Sequence, residues 1–140
     1  MSQPSDIEEI IDNFEFLGDW EERYRYIIDL GNQLEGLDEA LKTEENKVRG
    51  CMSQVWFTTR IEDGDPPHIH FEADSDATIV RGLIAILLIV YSGKTPAEIR
   101  EVDIKSLFER LGLSGHLSPS RSNGFFSMVS RIRGEAEMHA

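Results

Sequence analysis

Apolar residues recur at helical spacing in the first third of the chain. Ile7, Ile10, Ile11, Phe14 and Leu17 form one stripe that ends at Gly18, and Ser5 with Glu8 three residues on makes a capping-box pattern for its start. A second stripe follows at once: Trp20, Tyr24, Ile27 and Ile28, opened by Asp19 with Glu22 and running out between Gly31 and Gly36. Both stripes read as core, and the acidic residues on the opposite faces as solvated surface. Leu37 to Asn46 is a polar connection.

From Lys47 the period changes to two. Val55, Phe57, Thr59 and Ile61 alternate with Trp56, Thr58 and Arg60, Asp63-Gly64 is a turn signal, and Ile69, Phe71 and Ala73 then alternate with His68, His70 and Glu72. These patterns predict an antiparallel hairpin with one apolar face. A short third strand around Lys47 to Gly50 is expected to pair with Val55 to Glu62. That pairing places Cys51 at the tip of the turn between them.

The second half returns to helices. Asp76 is the expected cap of a helix whose Ile79, Val80, Leu83, Ile84, Ile86, Leu87, Leu88 and Val90 leave almost no polar face, so it belongs in the core beneath the sheet. Gly82 within it suggests a close backbone approach, and Gly93 a stop. Thr95-Pro96, Asp103 and Ser118-Pro119 each open a further helix, the last carrying Phe125, Met128, Val129 and Ile132. The order predicts an α+β fold, a small antiparallel sheet of about three strands backed by helices. Residues 1–140 are expected to form a single domain.

Charge and length narrow the partners. With 26 acidic and 14 basic side chains in 140 residues the formal charge is −12, which repels phosphate backbones and anionic lipid. No nucleic-acid partner is expected. The apolar run Leu83 to Tyr91 is about half of the roughly 20 residues that span a bilayer, and no secretory layout opens the chain. No membrane segment is expected, and the cytoplasm is the expected compartment.

Cys51 is the only cysteine, so no intramolecular disulfide or multi-thiolate metal site is available. A free cysteine is often a small buried hydrophobe. Here it lies in a polar loop, Val48-Arg49-Gly50-Cys51-Met52-Ser53-Gln54, where Gly50 permits special backbone geometry and Arg49 would favour the thiolate. That context points to a nucleophile. Two other constellations compete. His68, His70 and Glu72 project from one strand face and would offer a metal two imidazoles and a carboxylate, although solvent exposure produces the same spacing. A cysteine hydrolase would pair Cys51 with His70 or His116, but no hydrolase signature or orienting acid accompanies them.

Three motifs carry a family resemblance. Val48-Arg49-Gly50-Cys51-Met52-Ser53-Gln54-Val55-Trp56, then Asp74-Ser75-Asp76-Ala77 leading to Ile79-Val80-Arg81-Gly82-Leu83-Ile84-Ala85, and His116-Leu117-Ser118-Pro119-Ser120-Arg121-Ser122 resemble the SufE family of sulfur-acceptor proteins, SufE or CsdE type. Trp20 to Tyr24 and Ile27 to Gly31 extend the likeness, from about Phe14 to about Arg133. The resemblance implies a fold shared with IscU-type scaffolds and an acceptor cysteine on a loop, at Cys51. It implies a partner too: a pyridoxal-phosphate (PLP) cysteine desulfurase of the SufS or CsdA type, which the protein stimulates and whose persulfide sulfur it passes to an iron–sulfur scaffold complex. The PLP would belong to that partner, leaving this chain a carrier with no cofactor or metal of its own. Delivery to another sulfur pathway is the alternative.

Further residues of these motifs are expected to support the loop or meet the partner. Asp76 is read as a helix cap or as a restraint on the Cys51 loop. Arg121, in the first turn of the last helix, gains nothing from the helix dipole and suits an external carboxylate or the partner's surface. Arg49 and Gln54 flank the thiol. Trp56 is read as packing, with sheltering of the sulfur as its second possibility.

Overall fold

The computed structural model describes residues 6–51 and 53–139. Two helices open it, α1 (Ile7–Leu17) and α2 (Trp20–Asn32), followed by a connection holding one 3-10 turn, Glu39–Leu41. A hairpin of β1 (Val55–Glu62) and β2 (His68–Ser75) comes next. Four helices complete the chain: α3 (Thr78–Tyr91), α4 (Pro96–Glu101), α5 (Ile104–Arg110) and α6 (Pro119–Met138), with a 3-10 turn at Leu113–Gly115 before α6. The class is α+β, as the periodicities predict.

Local chemistry places most helix starts. Asp19, Asp103 and Ser118 each accept a hydrogen bond from the backbone N–H three residues on, and Thr95 with Glu98 completes a reciprocal capping box. At α1 the cap is Asp6, which accepts from the Glu9 N–H; Ser5, the expected cap, lies outside the described residues. At α3 the expectation fails. Ala77 is the N-cap, without a side-chain bond, because the Asp76 carboxylate is engaged elsewhere.

Among the described residues the sheet has two strands, and the expected third is a correction. β1 and β2 pair antiparallel in register from Val55 opposite Ser75 to Glu62 opposite His68, joined by a connection with a cis Asp65–Pro66 peptide. The stretch expected as a strand at Lys47 to Gly50 makes a single bridge, Lys47 to Trp56, flanked by the bonds Val48 N–H to Val55 O and Phe57 N–H to Asn46 O. It goes no further because Gly50 turns the chain away at φ 89°. The outward carbonyls of Glu45 and Lys47 are instead taken by Arg131 of α6.

The core lies where α3 crosses beneath the hairpin. Ile79, Leu83, Ile84, Ile86, Leu87 and Val90 are buried, as are Val55, Phe57, Ile69, Phe71 and Ala73 of the sheet. α2 presses on α3 at a glycine-to-glycine crossing, where a methyl built on Gly31 would stand 2.6 Å from the Gly82 backbone nitrogen. The close approach expected at Gly82 is therefore real, and α2 is its partner. The other sheet face is covered at its Val55 end. There the Lys42 ammonium sits 5.4 Å from the Trp56 ring centroid and 3.3 Å from the Asp74 carboxylate.

Asp74 anchors that end. Only 5% exposed, it pairs with Arg81 and Lys42 and accepts from the Leu37 and Ser75 N–H groups. Burial pushes its carboxyl up, but those N–H bonds and the two cations outweigh it and hold the group below the ordinary carboxylate range.

Candidate functional site

Cys51 follows the turn at Gly50 and lies against α6. A side chain at Gly50 would need the left-handed conformation and would meet the Ser127 hydroxyl at 2.6 Å, so this turn admits glycine on two counts. The thiol donates to the Gly124 carbonyl across 3.6 Å. Beside it opens a cavity of about 340 Å³ walled by Val55, Val80, Leu83, Phe125 and Met128. Cys51, Ser53, Ser118, Ser120, Arg121 and Gly124 supply its polar lining, and among the described residues no carboxylate does.

Cys51 is half-buried, and this burial pushes its thiol up from the ordinary value. The Gly124 contact acts in the same sense, since a thiolate has no proton to donate to a carbonyl. The expectation that Arg49 favours the thiolate is corrected here: its guanidinium is exposed and turns to Glu44, 3.9 Å away. The resting site stores a thiol.

The raised value has a measurable consequence. The unfolded chain releases the Cys51 proton at a lower pH than the folded one, so this group's stabilising contribution is whole below the unfolded pKa of ~8.5 and is lost as pH rises through the folded value. Urea midpoints are expected to decline across that window for the native chain and less steeply for Cys51→Ser. Equal slopes for the two would refute it.

Asp76 holds the far end of the loop. Its carboxylate accepts from the Gln54 N–H at 3.0 Å, and its own N–H donates to the Gln54 carbonyl at 3.3 Å. Of the two readings of Asp76, the geometry favours the loop restraint over the cap; Gln54 takes part through its backbone. Asp76→Ala is expected to cost about 1 kcal/mol locally and to speed Gln54 amide exchange roughly fivefold, leaving Ile79 and Val80 protected. Faster exchange at the start of α3 instead would restore the capping role.

The remaining candidates separate in space. Arg121 lines the cavity and donates to the Tyr24 hydroxyl at 3.3 Å, so the last helix and α2 meet at this rim. Trp56 faces Lys42 and is not among the cavity residues, so it packs and does not shelter the sulfur. His70 lies 3.4 Å from Glu62, and His116 stacks on Trp20 with ring centroids 4.1 Å apart. Neither is hydrogen-bonded to the thiol among the described residues. No cluster of three or more His, Cys, Asp or Glu side chains suited to a metal occurs among the described residues, so His68, His70 and Glu72 do not form the site their spacing allows.

Gly124 and Ser127 went unread in the sequence, and Ser118 is read there as a helix cap rather than as lining of a cavity. A glycine inside a helix is the signal that was there: it costs about 1 kcal/mol relative to alanine, which marks a position where something approaches closely.

Comparison with known proteins gives the chain its family. A family model described as SufE, Fe-S metabolism associated domain, matches residues 8–136. An uncharacterized SufE-like protein of Rhizobium etli is 54% identical over 136 residues, covering 96% of this chain and 91% of the relative. Another of that description from Rhizobium meliloti is 50% identical over 132 residues, 94% of each chain. The solution structure of a hypothetical protein from Thermus thermophilus shares the fold, with a TM-score of 0.73 at 15% identity over 99% of this chain and 98% of that one. Among the described residues no helix is long and apolar enough to cross a membrane. By its family match, its close relatives and its three motifs, this chain belongs to the SufE family, a domain associated with iron–sulfur metabolism.

Proposed function

We propose that the protein is a sulfur acceptor and carrier: Cys51 takes the outer sulfur of a persulfide from a PLP-dependent cysteine desulfurase, and the protein stimulates that enzyme and hands the sulfur on for iron–sulfur cluster assembly. The observation that carries this reading is the chain's one thiol, held at the mouth of an apolar cavity. Carbon–sulfur cleavage and its PLP are assigned to the partner. The carrier itself is assigned no resident cofactor and no substrate turnover.

The transfer balances without an oxidant. Cys51 loses its proton to solvent, its thiolate attacks the donor's outer sulfur, the donor's S–S bond breaks and the donor leaves as a thiolate. A half-buried thiol with a raised pKa is a poor nucleophile at rest. Docking must therefore bring Cys51 into a setting that favours the anion, and Arg121 at the rim is assigned the contact with the donor's surface. The apolar walls limit the access of water and oxidants to the carried sulfur.

The test is direct. Incubated with a cysteine desulfurase, PLP and cysteine, the protein is expected to gain the mass of one sulfur atom, removable by reductant. No gain beside a desulfurase that turns over with a reductant as acceptor would end the proposal. Recipient identity follows by adding an iron–sulfur scaffold complex to the loaded protein. Release to the scaffold supports cluster assembly, and retention favours a different sulfur pathway.

A further inference from the structure

We propose that Arg131 is a positioning residue for Cys51, clamping the segment that leads into the loop onto α6 and so keeping the sulfur turned into its cavity. Its guanidinium donates from Nη1 to the Lys47 carbonyl at 3.3 Å and from Nη2 to the Glu45 carbonyl at 3.2 Å, while Glu135 one turn on steadies Nε at 3.6 Å. The segment thereby has two fixed edges. Its inner edge bonds to β1 through Val48 and Asn46, and the carbonyls of its outer edge, where a further strand would have paired, bond to the Arg131 side chain.

The placement on α6 explains the reach of this clamp. Gly124, Ser127 and Arg131 follow one another at three- and four-residue spacing, so they share a face of the helix. Along that face lie, in reverse order, the chain at Glu45 and Lys47, Gly50 and Cys51. Two small residues let the loop settle on the helix, and the arginine then ties down what precedes it. Asp76 holds the other end, so Cys51 hangs between two polar anchors. Without the outer one, the segment keeps its bonds to β1 and to the turn before it, but loses those that tie Glu45 and Lys47 to α6, and is free to tilt away from that helix.

The importance of this clamp rests on the reading that Cys51 accepts sulfur, but its test needs no desulfurase. Arg131→Ala is expected to raise the rate of Cys51 alkylation by iodoacetamide roughly fivefold or more, reflecting two lost charge-assisted bonds, and to move the pH midpoint of that reaction down toward the free-thiol value. The direction of the midpoint separates clamp from charge. Loss of a cation acting through space raises a thiol's pKa, whereas release of the loop hydrates it and lowers it. Arg49, Arg121 and Asp76 keep their charges in this variant, and the Glu135 carboxylate, freed of its partner, would raise the midpoint rather than lower it.

Arg131→Lys, with a charge and a donor for one carbonyl, is expected to fall between the two. If the alanine variant does not fold, Arg131→Gln, which can reach one carbonyl without a charge, gives the same comparison. A midpoint that rises or stays put, or an unchanged alkylation rate, would overturn the proposal. Sulfur uptake from a desulfurase is measured in parallel. A native chain that takes up none refutes the acceptor reading and leaves the alkylation comparison intact.

Discussion

Cys51→Ser is expected to take up no sulfur at all from a cysteine desulfurase under conditions where the native chain takes one atom. The reason is chemical rather than structural. A serine hydroxyl donates to the Gly124 carbonyl as readily as the thiol does and fits the same turn after Gly50, so the loop keeps its course along α6. The hydroxyl is weakly nucleophilic and far from ionised at neutral pH, and it forms no stable bond to sulfane sulfur. With no second cysteine in the chain, no other side chain is available to take over. Intact mass after incubation, with thermal melting as the check on folding, reads both halves of the expectation. A sulfur adduct retained by a folded serine variant would remove Cys51 from the mechanism.

The same variant separates carriage from stimulation. If the desulfurase is accelerated because sulfur is drained from its cysteine, the serine chain fails to stimulate it. Stimulation by contact alone would survive the substitution. An oxygen at position 51 leaves the docking surface unchanged, so binding is expected to persist and acceleration to vanish.

What was legible in the chain was local. A cap speaks to an N–H three residues away, and Asp19, Thr95, Asp103 and Ser118 were read correctly because partner and signal share one turn. Asp76 looked the same in sequence, yet its partner is Gln54, twenty-two residues back, and nothing in a local pattern distinguishes the two bonds. The third strand failed at Gly50, whose left-handed turn ends the pairing with β1 after one bridge. The arginine that takes the segment's outer carbonyls lies more than eighty residues downstream, beyond any local pattern. Arg49 beside the thiol suggested a cation for it, and adjacency in sequence turned out not to be adjacency of side chains. The proposed nucleophile was legible because a lone cysteine in a polar loop needs no tertiary contact to be noticed. Its cavity was not, since the walls come from β1, α3 and α6.

Gly82→Ala is expected to destabilise the fold by about 3 kcal/mol, a fall of about 10 °C in melting temperature. A methyl there would lie well inside contact distance of the Ile27 carbonyl oxygen and 2.8 Å from the carbonyl carbon, both backbone atoms of α2. No rotamer change relieves such a clash, so the two helices must part and loosen the contacts that bury Ile27, Leu30, Leu83 and Ile84. Alanine's better helix propensity offers about 1 kcal/mol in return, which is the smaller effect. Gly134→Ala makes the opposite case on α6. Gly134 is exposed and a methyl there meets nothing within 4 Å, so the propensity gain is unopposed and the variant should be more stable by up to about 1 kcal/mol. Thermal melting of the two variants tests the crossing by sign as well as size. If both rose together, the helices would not be packed at the distance described, and the wall that α3 contributes to the Cys51 cavity would have to be redrawn.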